Sequence, residues 1–283
     1  EFLRRQLGLS VDPSNLFRHL FRLAGQTYEN KPVNFACVIS PSDKSAPKAE
    51  ASFPANYLNK KRYRVLSDGF RTAYLVSSQG RLKDLALLST SATRTSFVPE
   101  WCADLAENNG NRHLAVSLTR NGEILVFITG TLRLSRRFGS WQYWNHSHIV
   151  DLMYNTARTQ SVTAQTTQKV VRSVYRAALD ASFRRSGALF VILKAKKYTK
   201  DLVRGPDRLG SASRCAADTE FERAYSGKTI QNLPRRVLVE LASLDGAIVV
   251  LSTGELVAYG AVLNPQEAGE IEDVEGARTK AAI

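Results

Sequence analysis

Hydrophobic and polar positions along this chain change period several times, and each change predicts an element. Leu16, Phe17, Leu20, Phe21 and Leu23 recur at helical spacing behind the start signal Asp12-Pro13-Ser14, so residues 1–30 are predicted helical. His19 falls in this stretch and is read as a surface or core-edge histidine. Val33 to Ile39 reads as a strand, and Ser40 to Pro54, rich in Ser, Pro, Ala and Lys, as a loop. Tyr63 to Ser67 and Ala73 to Ser77 are strand candidates, while Leu82 to Leu88 fits either period. Pro99-Glu100-Trp101 opens a helix over Ala103 to Glu107, which Asn108 to Asn111 ends. Asn121-Gly122 lies between the apolar runs Leu114–Thr119 and Ile124–Thr129, the strongest short-range signal for a hairpin. Thr131 to Ser135 is a candidate third strand, and Ile149 to Arg158 is predicted helical.

The polar stretch Ser161 to Thr167 breaks the pattern and is taken as a domain boundary, giving units of 1–160 and 161–283. Beyond it, Val171, Val174, Tyr175, Ala178, Leu179 and Phe183 form one apolar stripe, predicting a helix over Gln168 to Ser186. Arg184 and Arg185 are placed in its last turn and Gly187 just past its end. A strand from Ala188 to Leu193, a basic loop from Lys194 to Arg214 and a short helix from Ala217 to Tyr225 carrying Glu220 and Glu222 follow. Pro234 opens a helix over Arg235 to Ser243. Ile248–Leu251 and Leu256–Leu263 flank Ser252-Thr253-Gly254-Glu255 and read as a hairpin in a buried sheet. Asn264 to Glu275 is an acidic loop. The pattern predicts a mixed α/β (α+β) chain: an α+β domain, then a sheet flanked by helices.

Composition narrows the field. A chain of 283 residues with 43% hydrophobic residues holds enough apolar material for a packed core in one or two domains. No run approaches the ~18 apolar residues of a membrane span, and no signal peptide opens the sequence. The only methionine is Met153, so the sequence does not begin at a start codon. Cys37, Cys102 and Cys215 form neither a metal-spaced pair nor a disulfide framework, which predicts a reducing cytoplasm. The net charge of +13 is compatible with nucleic acid, an anionic membrane surface or anionic nucleotides. The charge is spread over short clusters (Lys60-Lys61-Arg62, Arg136-Arg137, Arg184-Arg185, Lys194 to Lys200), which is read as a solvated surface, and nucleic acid is the least favoured partner. Arg136 to Trp144 is basic and aromatic. It reads as a base-stacking platform or as an edge strand covering a core, the second being preferred. His146 and His148, two residues apart, would chelate a metal on a strand, but no third ligand is nearby.

Candidate chemistry concentrates between Leu244 and Ala282. Asp245 stands before a glycine at the mouth of a strand, where a carboxylate meets a ligand or metal at close range. Arg278 and Lys280 follow Gly276, a grouping suited to a polyphosphate. Asp245-Gly246-Ala247 and Gly276-Ala277-Arg278-Thr279-Lys280-Ala281-Ala282 resemble the two motifs of the diadenylate cyclase (DAC) domain. That family, found at the N-terminus of the DNA integrity scanning protein, carries Asp-Gly-Ala and a later Gly-Thr-Arg-His-Arg-x-Ala. Gly187 to Leu193 resembles the family's first core strand, so the likeness covers roughly 165–283. It departs at Thr279, where the family has histidine. It also stops at Ile283, where family members continue into a further helix and strands, so the domain is expected to be truncated.

The resemblance implies condensation of two ATP molecules into cyclic di-AMP with Mg²⁺ or Mn²⁺. It implies Asp245 as metal ligand and catalytic carboxylate. Gly246 and Ala247 would give backbone access to the nucleotide, Leu263 would line the base pocket, and Gly276, Ala277, Arg278, Thr279 and Lys280 would bind the triphosphate. It further implies a homodimer with facing sites. The alternative is a catalytically degenerate sensor of ATP or a cyclic dinucleotide. The first domain, which resembles no family, is then a regulatory or sensory module.

Overall fold

The computed structural model describes residues 13–40, 58–60, 63, 66–69, 71–88, 97–107, 114–210, 220, 223–224 and 229–264. The chain divides into two compact units, Glu1–Asn145 and His146–Ile283. The division falls ahead of the polar stretch 161–167 for a local reason. Helix His146–Ala157 lies before that stretch but packs on the helix after it, with Nδ1 of His146 2.7 Å from the Tyr175 hydroxyl.

In the first unit, α1 (Ser14–Ala24) precedes a two-stranded ribbon, β1 (Thr27–Tyr28) and β2 (Lys31–Pro32). A seven-stranded sheet follows: β3 (Phe35–Ser40), β4 (Thr72–Ser77), β5 (Leu82–Leu87), β6 (Leu114–Leu118), β7 (Ile124–Ile128), β8 (Thr131–Arg137) and β9 (Ser140–Tyr143), in the order β5-β4-β3-β6-β7-β8-β9. β3 and β4 run parallel and every other neighbouring pair is antiparallel. β6 and β7 are buried at every position, as expected of strands covered on both faces. The ambiguous run at Leu82 is thus a strand. A short helix, α2 (Ala103–Glu107), follows a 3-10 turn at Glu100–Cys102.

Leu16, Leu20 and Leu23, at positions i, i+4 and i+7, lie over Phe35, Cys37, Ile39, Val116, Ile124 and Val126. Each such leucine contributes about 1.5–3 kcal/mol. Phe17 and Phe21 belong to the same sequence stripe but not to its buried centre: Phe17 is half-buried and Phe21 exposed. Tyr63 to Ser67 is not the predicted strand in its described residues. Tyr63 is helical, and Ser67 is buried with its hydroxyl donating to the Ala36 carbonyl at the sheet. Burial pushes the Cys37 thiol well up, so it packs as an inert apolar group.

The predicted hairpin is β6–β7, closed by Thr119 N–H donating to Glu123 O at 2.9 Å, with Gly122 at φ +73°. Its Glu123 side chain is buried against Arg137 of β8, 3.1 Å away. The β8–β9 turn uses Phe138 and Gly139, both left-handed at φ +50° and +83°, as a type I′ turn demands.

The second unit holds α3 (His146–Ala157), α4 (Ala164–Phe183), β10 (Leu189–Leu193), α5 (Thr199–Leu202), α6 (Arg235–Ser243), β11 (Ala247–Leu251) and β12 (Leu256–Ala261). The three strands form a sheet in that order, β10 parallel to β11 and β11 antiparallel to β12. A parallel pair needs a crossover, which α6 supplies. Ile248 and Val250 face Val170, Val174 and Ala177 of α4 and Leu238 and Val239 of α6. Ala247, Val249 and Leu251 face the other way, onto Leu193, Val203, Val257 and Leu263. His146 and His148 lie in the first turn of a helix, where i and i+2 point apart. His146 is buried and His148 exposed, so the two cannot chelate one metal.

α4 begins earlier than predicted because Thr163 caps it, its hydroxyl accepting from Thr166 N–H at 3.3 Å. It ends in a Schellman motif: Arg185 N–H donates to Ser182 O at 3.1 Å and Ser186 N–H to Ala181 O at 2.9 Å. The left-handed residue is Arg185 at φ +57°, not the glycine two positions on. Asp180, fully buried, accepts a two-pronged bond from Arg235 at 2.6 and 2.8 Å and ties α4 to the start of α6.

Candidate functional site

The site begins where α6 runs out. Its last residues lead through Leu244 to Asp245 and Gly246, and β11 starts at Ala247. The Asp245 side chain is exposed at the head of that strand. Gly246 is buried at φ +102°, a region closed to other residues without strain. Its missing side chain has a second cause. A Cβ there would lie 2.5 Å from the carbonyl carbon of Gly260 and 2.7 Å from its oxygen.

Gly260 sits in a β-bulge. Ala247 pairs with Ala261 and Val249 with Ala258, so β12 spends one residue more than β11 over the same span. The extra residue brings the β12 backbone against Gly246, and Gly260 is itself left-handed at φ +59°. Gly246 therefore lets two strands of the protein approach each other. Its contact is with Gly260, whereas the resemblance assigned its freedom to a nucleotide. Ala247 is fully buried in the sheet core.

Leu263 is also a core residue here. It is buried with Leu193, Val203, Ala247 and Val257 and bridges Val203. The segment predicted as a basic loop holds this end of the hairpin. Leu209 N–H donates to Val257 O at 2.9 Å, Val262 N–H to Asp207 Oδ2 at 3.1 Å, and Asn264 N–H to Leu202 O at 2.9 Å. Sequence reasoning missed Asp207 as an acceptor. The signal for it was the turn tripeptide Gly205-Pro206-Asp207. Lys196 and Glu255 add an exposed ion pair at 3.1 Å across the β11–β12 turn.

Gly276, Ala277, Arg278, Thr279 and Lys280 lie outside the described residues, as do Glu222 and the acidic stretch 265–275. Glu220 is described and pairs with Arg223 in a helical turn. Among the described residues, no group of three His, Cys, Asp or Glu side chains is placed to hold a metal. An exposed carboxylate such as Asp245 fits Mg²⁺ or Mn²⁺, which take one or two protein oxygens and complete their shell with substrate phosphates and water. No described helix is long and apolar enough to cross a membrane. No family model, curated protein or solved structure matches the chain.

Proposed function

We propose that the second unit is a diadenylate cyclase-like nucleotidyltransferase that condenses two ATP molecules into cyclic di-AMP. What carries the reading is Asp245, an exposed carboxylate held at the head of β11 by the Gly246–Gly260 contact, in the motif Asp245-Gly246-Ala247. In this reading each 3′-hydroxyl attacks the α-phosphorus of the other ATP. A new P–O bond forms, the bond to the β-phosphate oxygen breaks, and pyrophosphate leaves. Asp245 takes up the hydroxyl proton and fixes the nucleophile's direction. Arg278 and Lys280 neutralise the departing charge. Mg²⁺ or Mn²⁺ on Asp245 and the phosphates would supply further charge neutralisation. Two ATP molecules must face each other, so the active species is a homodimer, and its compartment is the cytoplasm.

One feature favours a second reading, a sensor that binds ATP or a cyclic dinucleotide without turnover. Thr279 stands where the resembled family has histidine and offers phosphate a hydroxyl but no imidazole. Incubation with ATP and Mg²⁺ or Mn²⁺, followed by mass spectrometry, separates the two. A cyclic di-AMP signal that is lost in Asp245→Asn supports the cyclase. Nucleotide binding without product supports the sensor. Product at the wild-type rate from Asp245→Asn removes Asp245 from the chemistry.

A further inference from the structure

The last strand of the seven-stranded sheet carries an unusual surface. All four residues of β9 are exposed. The cross-strand pairs Leu134–Tyr143 and Arg136–Trp141 place Tyr143 and Trp141 on the face that Leu134 shares with the α1 core. α1 completes the surface. Trp141 meets Phe17 edge-on at 5.5 Å and Phe21 at 6.2 Å, and the Arg136 guanidinium lies 4.7 Å over the Phe21 ring. This packing leaves much of each ring in water: Phe21 is 39% exposed, Trp141 43% and Tyr143 62%. Exposed Arg18 and Arg22 flank Phe21 on the helix. α1, β8 and β9 together contain five arginines and no carboxylate, and among the described residues Arg137 alone of these five is paired with an acid, Glu123.

Singly exposed rings are ordinary on a protein surface, but these form one contiguous patch, the pattern that marks an interaction site. Exposed π-faces beside unneutralised guanidinium groups match a ligand that is flat and apolar in one part and anionic in the other. Duplex DNA hides its bases, whereas a single strand offers base faces and phosphates together. We infer that Phe21, Trp141, Tyr143 and Arg136, with Arg18 and Arg22, form a stacking surface for single-stranded nucleic acid. Trp141 and Tyr143 stack bases, and the arginines meet the phosphates. Sequence alone gave this partner little weight because the charge is spread over short clusters and the Arg136–Trp144 aromatics read as core packing. The fold adds Phe17 and Phe21 of α1 to that cluster.

The test is fluorescence anisotropy of the full chain with a short labelled oligothymidylate and the matching oligouridylate, titrated with salt. Binding is expected with a slope of log K on log salt near −2, from three arginines at about −0.7 each. Tyr143→Ala should weaken it about 10-fold and Tyr143→Phe less than about twofold, since one stacked base is worth a factor of roughly 5–150. Arg22→Gln should lower the slope by about 0.7, whereas Arg81→Gln, in the β4–β5 turn at the far edge of the sheet, should not change it. An exposed tyrosine on an edge strand is dispensable for folding, which a circular dichroism melt of Tyr143→Ala checks. Absence of binding up to ~100 μM at low salt would overturn the proposal. So would equal losses in Arg81→Gln and Arg22→Gln. A concentration-dependent dimer abolished by Tyr143→Ala would also overturn it, assigning the face to a second copy of the chain.

Discussion

Replacing Gly246 with alanine tests whether that glycine serves the fold or a ligand. The substitution meets two costs at once. An alanine at φ +102° sits in a region that costs about 1–3 kcal/mol. Its Cβ would lie 2.5 Å from a backbone carbon of Gly260, where relaxed carbon contacts are about 3.5–4 Å. The obstacle is backbone on both sides, so relief requires opening the hairpin, at a further ~1–3 kcal/mol. The sum is about 4 kcal/mol, which would lower the melting temperature of this unit on the order of 10 °C. Gly260→Ala is the matched control. It is left-handed at φ +59°, but its Cβ meets nothing closer than the Asp245 oxygen at 3.3 Å, so it should cost about 1–2 kcal/mol. Calorimetry of both variants, resolving the two units' transitions, gives the ordering. If Gly246→Ala melts within ~1 kcal/mol of wild type, or below the cost of Gly260→Ala, the backbone-contact argument fails. Loss of nucleotide binding at unchanged stability would return Gly246 to the ligand.

Three further predictions concern the second unit. Asp180→Asn should cost about 3 kcal/mol in urea unfolding, because it breaks a buried ion pair. Asp180→Leu with Arg235→Met should recover most of that loss, and additive costs in this cycle would show the two side chains uncoupled. Arg185→Gly should stabilise by about 1 kcal/mol, since Arg185 holds the left-handed position of the Schellman motif. A loss in thermal melts would show that its side chain contributes more than its backbone costs. Burial pushes the Tyr175 hydroxyl from 10.0 up to about 12, so the folded unit holds this proton more tightly than the unfolded chain. That contribution is complete below pH ~10 and is lost as pH rises toward ~12. Tyr175→Phe should therefore be weaker than wild type at neutral pH by about 1 kcal/mol, from the lost bond to His146, and the gap should close in alkaline melts.

Much of the fold was legible because local signals and tertiary packing agree. Helix Arg235–Ser243 was read from Pro234 as its start signal, and the β6–β7 hairpin from Asn121-Gly122. The features that escaped are those where a distant partner or a tolerated exception decides. Phe138-Gly139 is a turn although phenylalanine carries no turn signal. Arg185 takes the helix-ending conformation that Gly187 was expected to hold. The Asp180–Arg235 pair joins residues 55 apart, and nothing local marks Asp180 among the other polar residues of its helix as buried. At the site, Asp245 was legible as an exposed carboxylate before a strand. The reason for Gly246 was not, because the bulge that makes it necessary lies on the neighbouring strand. Leu263 was read as a pocket residue on resemblance, whereas the antiparallel bridge to Val203 draws it into the core.

The same physics separates the two arginine clusters. Burial above all, and then the fields of Arg235 and Arg172, lower the Arg176 guanidinium from 12.5 to about 10, and Asp180 offsets only part of it. That cluster is organised inward. Its carboxylate is fully buried, its fork–fork geometry links α4 to α6, and its charges are fixed by the packing they create. A ligand there would have to compete with Asp180 for the guanidinium already bound. On the first unit the arrangement is reversed. Arg136 stands over the ring of Phe21, which is itself partly in water, Arg18 and Arg22 are exposed on α1, and α1, β8 and β9 contain no acid. Cationic charge held against a buried acid stabilises a fold. Cationic charge held over an exposed aromatic face is weakly stabilised by that ring and remains open to an anion with a flat apolar part.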